Sequence, residues 1–153
     1  MDKIEIIMRV QQMKEELKEG NAFGEKVLLV AATKTQTAEA INWAIEGGVD
    51  AVAENKPQEF RDKNEFLLPC SRHFIGHLQT NKVRQVVGKV SLIHSVDRWK
   101  LLEAINAEAS SQGIVQDILL QINIGREPQK GGFLEEELAQ LLEDGLSLPD
   151  FYE

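Results

Sequence analysis

The stretch that decides the fold is VLLVAATKTQTAEAINWAIEGGVDAVAE, residues 27–54. Its opening apolar run predicts a strand over 27–33, helical periodicity follows over 37–46, and a second strand is predicted over 50–54. Thr37 is suited to cap the helix, and Gly47 and Gly48 stand where it should stop. A strand, a helix and a strand without a hairpin signal indicate a βαβ unit with parallel strands.

The same alternation extends along the rest of the chain. An amphipathic helix over 2–19 precedes the first strand and ends at Gly20. Further strands are predicted over 73–77, 92–96 and 117–124, and further helices over 57–66, 81–88, 98–111 and 134–142. Because the strands are nearly all apolar, both faces of the sheet should be covered, either in an open doubly wound sheet or in part of a (β/α) barrel. We expect residues 1–153 to form a single domain.

Composition narrows the class of protein. The chain has 153 residues, a formal net charge of -8 and a sequence pI near 5.0, which argue against a broad non-specific grip on nucleic acid. The N-terminal residues 1–20 carry acidic groups throughout and predict neither a signal peptide nor a membrane span. The lone cysteine, Cys70, suits a reducing compartment, so we expect a cytoplasmic protein in which Cys70 is a small apolar filler.

Polar residues follow the predicted strands, where the loops of a parallel α/β fold converge and reactive groups gather. Lys34 lies between Thr33 and Thr35 at the end of an apolar run, which we expect to limit hydration of the amine. A desolvated lysine has a lowered pKa and a larger neutral fraction, which favours a Schiff base with an aldehyde. The alternative is an ordinary surface lysine.

The other polar positions leave alternatives open. Asn55 is either functional or a loop residue that satisfies its own backbone. His73 and His77 lie four apart on a predicted strand, more than about 10 Å from each other, so we expect no metal site there. The loop GREPQKGGF, residues 125–133, is either a plain turn or a phosphate contact, and neither common glycine-rich nucleotide motif is present.

Five segments together resemble the pyridoxal phosphate homeostasis proteins, the family of barrels similar to the N-terminal domain of alanine racemase. In the family's order they are LLVAATKTQ, AENKPQEF, HFIGHLQTNKVR, IHSVDR and INIGREPQKGGF. The ten residues HFIGHLQTNK, 73–82, are the most specific of these. The likeness extends from the first helix to about Leu148.

The resemblance implies a parallel (β/α) barrel of the TIM or alanine-racemase type, preceded by an N-terminal helix, that holds pyridoxal 5'-phosphate on the lysine ending its first strand. That lysine is Lys34. By the same matching Asn55 is a cofactor-binding residue, and His77 and Ser95 lie on strand ends that face the same pocket. The family is thought to bind, store or deliver the cofactor and to keep the free aldehyde low, so a binding protein is implied rather than a catalyst.

The chain departs from the family pattern in two ways. Ala53 stands where the family usually has glycine before Glu54 and Asn55, and Pro57 follows soon after. About five of the eight βα units are present, and LSLPDFYE ends where a sixth strand would begin. We expect an unclosed barrel with exposed first and fifth strands to associate with itself through them.

Two alternatives to cofactor homeostasis remain open. One is a truncated member of the family that has lost cofactor binding. The other is an enzyme that depends on pyridoxal phosphate, such as an amino-acid racemase, which needs acid and base groups on both faces of the substrate carbanion. Lys34 would supply one of these groups, and the sequence identifies no partner for the opposite face.

Overall fold

The computed structural model describes residues 1–145. Its helices are α1 (Lys3–Glu16), α2 (Ala38–Gly47), α3 (Pro57–Asn64), a 3₁₀ helix (Thr80–Gln85), α4 (Trp99–Gln112) and α5 (Glu135–Gly145). Its strands are β1 (Val30–Ala32), β2 (Ala51–Glu54), β3 (Ser71–Phe74), β4 (Leu92–Val96) and β5 (Ile118–Leu120). Two compact units divide the chain at residues 73 and 74, and each is described by itself.

In the first unit, β1 and β2 pair in parallel with Ala32 opposite Ala53. Helix α2 connects them as predicted. It begins after Thr37, whose side chain accepts a hydrogen bond from the Ala40 N–H, and it ends at Gly48, whose φ is 103°. Its buried Ile41 packs with Val49 and Val52. The βαβ unit therefore brings the C-terminal ends of β1 and β2 side by side.

Helix α1 packs against α2 where a glycine allows close approach. A Cβ added at Gly47 would lie 2.9 Å from the Val10 Cβ. The helix is also tied to the strands by Asp50, whose Oδ2 accepts hydrogen bonds from the Lys14 Nζ at 2.6 Å and the Leu29 N–H at 2.7 Å. Although burial alone raises the pKa of Asp50, these two hydrogen bonds outweigh it and lower that pKa.

In the second unit, β4 and β5 pair in parallel, with Ile93 opposite Ile118 and Val96 opposite Leu120. Helix α4 precedes β5 and ends at Gly113, whose φ is 65°. The side chains buried in this unit include Val83, Val86, Val87, Ile93, Val96, Leu101, Leu102 and Ile105. The helix predicted over residues 81–88 is present as the 3₁₀ helix Thr80–Gln85.

Strands β1 and β5 are shorter than predicted, and β3, at Ser71–Phe74, is displaced from the predicted residues 73–77. Strand β1 begins at Val30 rather than residue 27, because the Leu29 N–H turns to the Asp50 side chain. Strand β5 ends at Leu120 rather than residue 124, because Phe133 exchanges backbone hydrogen bonds with Gln121 and Asn123. The prediction that a sixth strand would begin near residues 146–153 concerns residues outside those described.

Candidate functional site

Lys34 lies at the tip of a tight turn that follows β1. The Gln36 N–H donates to the Thr33 carbonyl at 3.1 Å, and Thr35 has a φ of 63°. A left-handed conformation is unusual for a β-branched residue and persists only where surrounding contacts impose it. The Lys34 side chain is exposed and has no hydrogen-bond or ion-pair partner within residues 1–145. The expected limit on hydration of its amine is therefore wrong, because the turn carries it beyond the apolar strand.

Hydrogen bonds among one threonine and three charged side chains hold this turn in place. Glu54 ends β2 and is only 4% exposed, and its Oε1 accepts from the Thr33 hydroxyl at 2.6 Å and from the Lys63 Nζ at 3.1 Å. Glu59 accepts from the Thr35 N–H and from the Lys63 Nζ through the same oxygen, both at 3.0 Å. The Lys63 Nζ also donates to the Thr33 carbonyl at 3.2 Å. We call Thr33, Glu54, Glu59 and Lys63 the turn clamp.

The charge states of the turn clamp follow from these contacts. Burial of the Lys63 ammonium favours its neutral form, but hydrogen bonds to Glu59 and Glu54 outweigh this and raise its pKa. The Thr35 N–H and then the Lys63 ammonium lower the pKa of Glu59. Lys63 is thus a protonated, fully engaged amine, whereas the Lys34 amine is unengaged.

Two buried acceptors at the end of β2 have no partner within the described part of the chain. They are the Glu54 Oε2 and the Asn55 Oδ1. A buried acceptor without a partner costs about 1–3 kcal/mol, so native proteins retain few of them. Asn55 thus does not satisfy its own backbone through Oδ1, as the simpler interpretation required. Each of these atoms keeps an unfilled acceptor position, which is chemically suited to an O–H or N–H donor.

In the second unit, Ser95 lies on β4 as predicted and is 3% exposed. Its hydroxyl donates to the Gly76 carbonyl. Strand β3 ends at Phe74, and the chain bends at Gly76. His77 therefore lies in the loop after β3, and the prediction that it stands at a strand end is wrong. The side chain of His77 is 66% exposed, and its Nδ1 lies 3.5 Å from the Asp97 Oδ2.

Asp97 follows β4 and holds the loops of this unit. Its Oδ1 accepts from the Arg98 guanidinium, which in turn donates to the Leu78 carbonyl at 2.7 Å. A Cβ added at Gly131 would lie 2.6 Å from the Asp97 Oδ2, so a larger residue there would force this carboxylate to move. Asp97 is one of the polar residues that follow the predicted strands, but it was not predicted as a cofactor-binding residue.

The loop over 125–133 is organised by Asn123. The Asn123 side chain donates to the carbonyls of Glu127 and Lys130 and accepts from the Glu127 N–H. Gly132 has a φ of 128°, and a Cβ there would lie 2.7 Å from the Asn123 nitrogen. These contacts account for Asn123 and Gly132 by the geometry of the chain. The alternative that this loop contacts a phosphate remains a prediction.

Cys70 lies outside both groups of side chains, the one that holds the Lys34 turn and the one around Asp97. Cys70 is half-buried against the core of the first unit, and burial raises the pKa of its thiol, in keeping with an apolar filler. Within residues 1–145 no three His, Cys, Asp or Glu side chains are grouped to hold a metal ion. Over the same residues no helix has the length and apolar character needed to cross a membrane.

The structure thus brings Lys34 and Asn55 to the same end of two paired strands, β1 and β2. It joins Ser95 to the residue that precedes His77. Sequence reasoning missed Glu59 and Lys63, although their spacing of four on a helix that directly follows Glu54 and Asn55 was a usable signal.

Comparison with known proteins finds relatives of the whole described fold. The family model described as the N-terminal domain of alanine racemase matches residues 7–152. The pyridoxal phosphate homeostasis protein of Aquifex aeolicus is 45% identical over 124 residues, covering 80% of this chain and 54% of that protein. Its counterpart in Escherichia coli K12 is 34% identical over 130 residues, covering 82% and 56%. The chain spans just over half the length of these relatives.

Solved structures of similar proteins share the fold of this chain. PipY of Synechococcus elongatus, solved with PLP bound, superposes with a TM-score of 0.81 at 31% identity, covering 94% of this chain and 65% of PipY. Alanine racemase from Streptomyces coelicolor superposes with a TM-score of 0.75 at 17% identity, covering 95% of this chain and 38% of the racemase, which shows the fold alone. The predicted α/β fold of the alanine-racemase type is confirmed.

Proposed function

This chain belongs to the family of the alanine racemase N-terminal domain, and we propose that it binds pyridoxal 5'-phosphate through a Schiff base on Lys34 and takes part in cytoplasmic homeostasis of that cofactor. PipY, solved with PLP bound, supports the cofactor, and the names of the relatives in Aquifex aeolicus and Escherichia coli support the role. We propose a binding protein rather than a catalyst.

The observation that carries the proposal is the contrast between Lys34 and Lys63. An amine attacks an aldehyde only when it is neutral and free of other partners. Lys63 donates three hydrogen bonds and its pKa is raised, whereas Lys34 is exposed on a turn whose neighbours on both sides are held. Lys34 is therefore the amine of this pair that can add to the aldehyde carbon, with loss of water.

Asn55 fits a cofactor of this chemistry. Pyridoxal phosphate supplies the aldehyde and also carries a phenolic hydroxyl and a ring nitrogen, either of which donates a hydrogen bond when protonated. The Asn55 Oδ1 is buried and has no partner within residues 1–145, so it has an acceptor position to offer. Residues of the first unit would hold the ligand at Lys34 and orient it through Asn55.

His77 and Ser95 are proposed as further cofactor-binding residues on the strength of the family pattern. His77 offers an exposed imidazole beside Asp97. Ser95 offers a buried hydroxyl whose proton is directed at the Gly76 carbonyl, which leaves its oxygen as an acceptor.

Incubation with pyridoxal phosphate followed by borohydride reduction tests the proposal. We expect visible absorption that disappears on reduction and a peptide map with the added mass on Lys34. Lys34→Arg, which keeps the charge but forms no Schiff base, should abolish both signals. Lys18→Arg removes an exposed lysine of the first unit and should leave them unchanged. Equal labelling of wild type and Lys34→Arg would refute the assignment.

We also propose that the chain self-associates. The support is apolar exposure near β5, where Leu119 is 48% and Ile124 88% exposed. Sedimentation velocity should detect a concentration-dependent species that Leu119→Lys diminishes, and a single monomeric boundary at all concentrations would contradict it.

A further inference from the structure

Lys63 is linked to both residues that flank Lys34, directly to Thr33 and through Glu59 to Thr35. On one side its ammonium donates to the Thr33 carbonyl at 3.2 Å, and that carbonyl also closes the turn by accepting the Gln36 N–H. On the other side it donates at 3.0 Å to the Glu59 Oε2, which accepts the Thr35 N–H. The residues before and after Lys34 are thus connected through one cation.

We infer that Lys63 is a positioning residue for cofactor capture, which orients the Lys34 turn and takes no label itself. This inference rests on the proposed function and deepens it, since it assigns a role to a residue that touches neither the aldehyde nor the Lys34 side chain. A held nucleophile reacts faster than a mobile one because less of its motion must be frozen in the transition state.

The coordination of the ammonium supports this role. A lysine ammonium has three N–H donors, and all three find acceptors here, the third being the Glu54 Oε1 at 3.1 Å. The Lys63 side chain is 17% exposed and those of Glu54 and Glu59 are 5% and 23% exposed, so water competes little for these bonds. The strained φ of Thr35 is what such a fixed set of contacts can impose.

A purely structural role for Lys63 predicts a different outcome from a positioning role. A structural residue changes the stability of the first unit and leaves the reactivity of the folded protein at Lys34 unaltered. A positioning residue changes the local protection of the Thr35 amide and the rate at which Lys34 takes the label, even at temperatures where the protein is fully folded.

The test compares Lys63→Met and Glu59→Gln with a matched control, Lys14→Met. The control removes another partly buried ion pair of the same unit, between Lys14 and Asp50, at the opposite end of β1. Two quantities are measured on folded protein: hydrogen exchange of the Thr35 amide, and the rate and site of borohydride-trapped labelling by pyridoxal phosphate.

We expect Lys63→Met to label Lys34 about tenfold more slowly and to exchange the Thr35 amide about tenfold faster than wild type. Glu59→Gln should show the same changes to a smaller extent, and Lys14→Met should show neither. In wild type, label should be found on Lys34 and not on Lys63.

Wild-type labelling and exchange in a folded Lys63→Met protein would overturn the inference, as would label on Lys63 in wild type. Should Lys63→Met fail to fold, Glu59→Gln decides: unaltered exchange and labelling there overturn the inference, and changed values support it. Absence of label on wild-type Lys34 refutes the proposed function instead, and exchange at Thr35 still reports whether Lys63 holds the turn.

Discussion

Replacing Thr33 with valine removes one hydroxyl from the turn clamp while keeping the shape of the side chain. Thr33 is 3% exposed, and its single hydroxyl proton is directed at the Glu54 Oε1 at 2.6 Å, with the Ala53 carbonyl at 3.1 Å. The backbone bond from the Thr33 N–H to the Ala53 carbonyl, at 2.9 Å, stays in place. The substitution therefore isolates the side-chain hydrogen bond.

A hydrogen bond to a charged group contributes about 1.5–3 kcal/mol, and removal of the hydroxyl also removes the cost of burying it. We expect Thr33→Val to lower the free energy of unfolding by about 1–2 kcal/mol. In urea this is a midpoint shift of about 0.5–1 M, followed by far-ultraviolet circular dichroism.

Thr80→Val is the matched control, because it makes the same change at a half-buried threonine of the second unit for which the structure records no side-chain hydrogen bond. It should alter the free energy of unfolding by less than about 0.5 kcal/mol. A double-mutant cycle of Thr33→Val with Lys63→Met should be non-additive, since both side chains donate to the same Glu54 oxygen. A Thr33→Val protein as stable as wild type would refute the reasoning.

Three further predictions follow from single contacts. Gly131→Ala would place a Cβ 2.6 Å from the Asp97 Oδ2 and should lower the free energy of unfolding in urea by about 1–3 kcal/mol. Gly125→Ala would place a Cβ 3.3 Å from the Glu127 Oε1 and should leave that free energy nearly unchanged. Equal losses in the two variants would contradict this. Thr35→Gly relieves about 1–2 kcal/mol of strain from the left-handed conformation and loses about 0.5–1 kcal/mol because glycine is more flexible in the unfolded chain. Calorimetry should therefore find a small rise in melting temperature, and a fall would contradict this. The Thr35 N–H lowers the pKa of Glu59, so its contribution to stability is complete above the unfolded pKa and is lost as pH falls through the lower folded pKa. Below about pH 4.5 the wild type should therefore lose stability more steeply than Glu59→Gln, and parallel curves would count against the contact.

The helices were largely predictable because their ends are set by neighbouring residues. Thr37 caps α2 through the Ala40 N–H, three residues away, and Gly113 ends α4 in a left-handed conformation. Such signals lie within one turn of the element they end, so a reader of the sequence sees both partners at once.

Strand ends were less predictable because distant residues decide them. The Leu29 N–H, which would extend β1, is taken by the carboxylate of Asp50, 21 positions away. The Gly76 carbonyl after β3 accepts from the Ser95 hydroxyl, 19 positions away. Apolar runs indicate where a strand passes through the core, but the hydrogen bonds that end it come from residues that only the fold brings near.

Lys34 and Lys63 illustrate the same limit at the site. Position after an apolar strand, together with family resemblance, singled out Lys34, and it also suggested a poorly hydrated amine, whereas the amine is exposed. In sequence, Lys63 is one of several charged residues on a polar helix. Its three contacts join residues 33, 54 and 59, so its role becomes visible only when β1, β2 and α3 are assembled. In the proposed site, reactivity at Lys34 depends less on desolvation of its own amine than on a second lysine, protonated and fully engaged, that fixes the turn on which it stands.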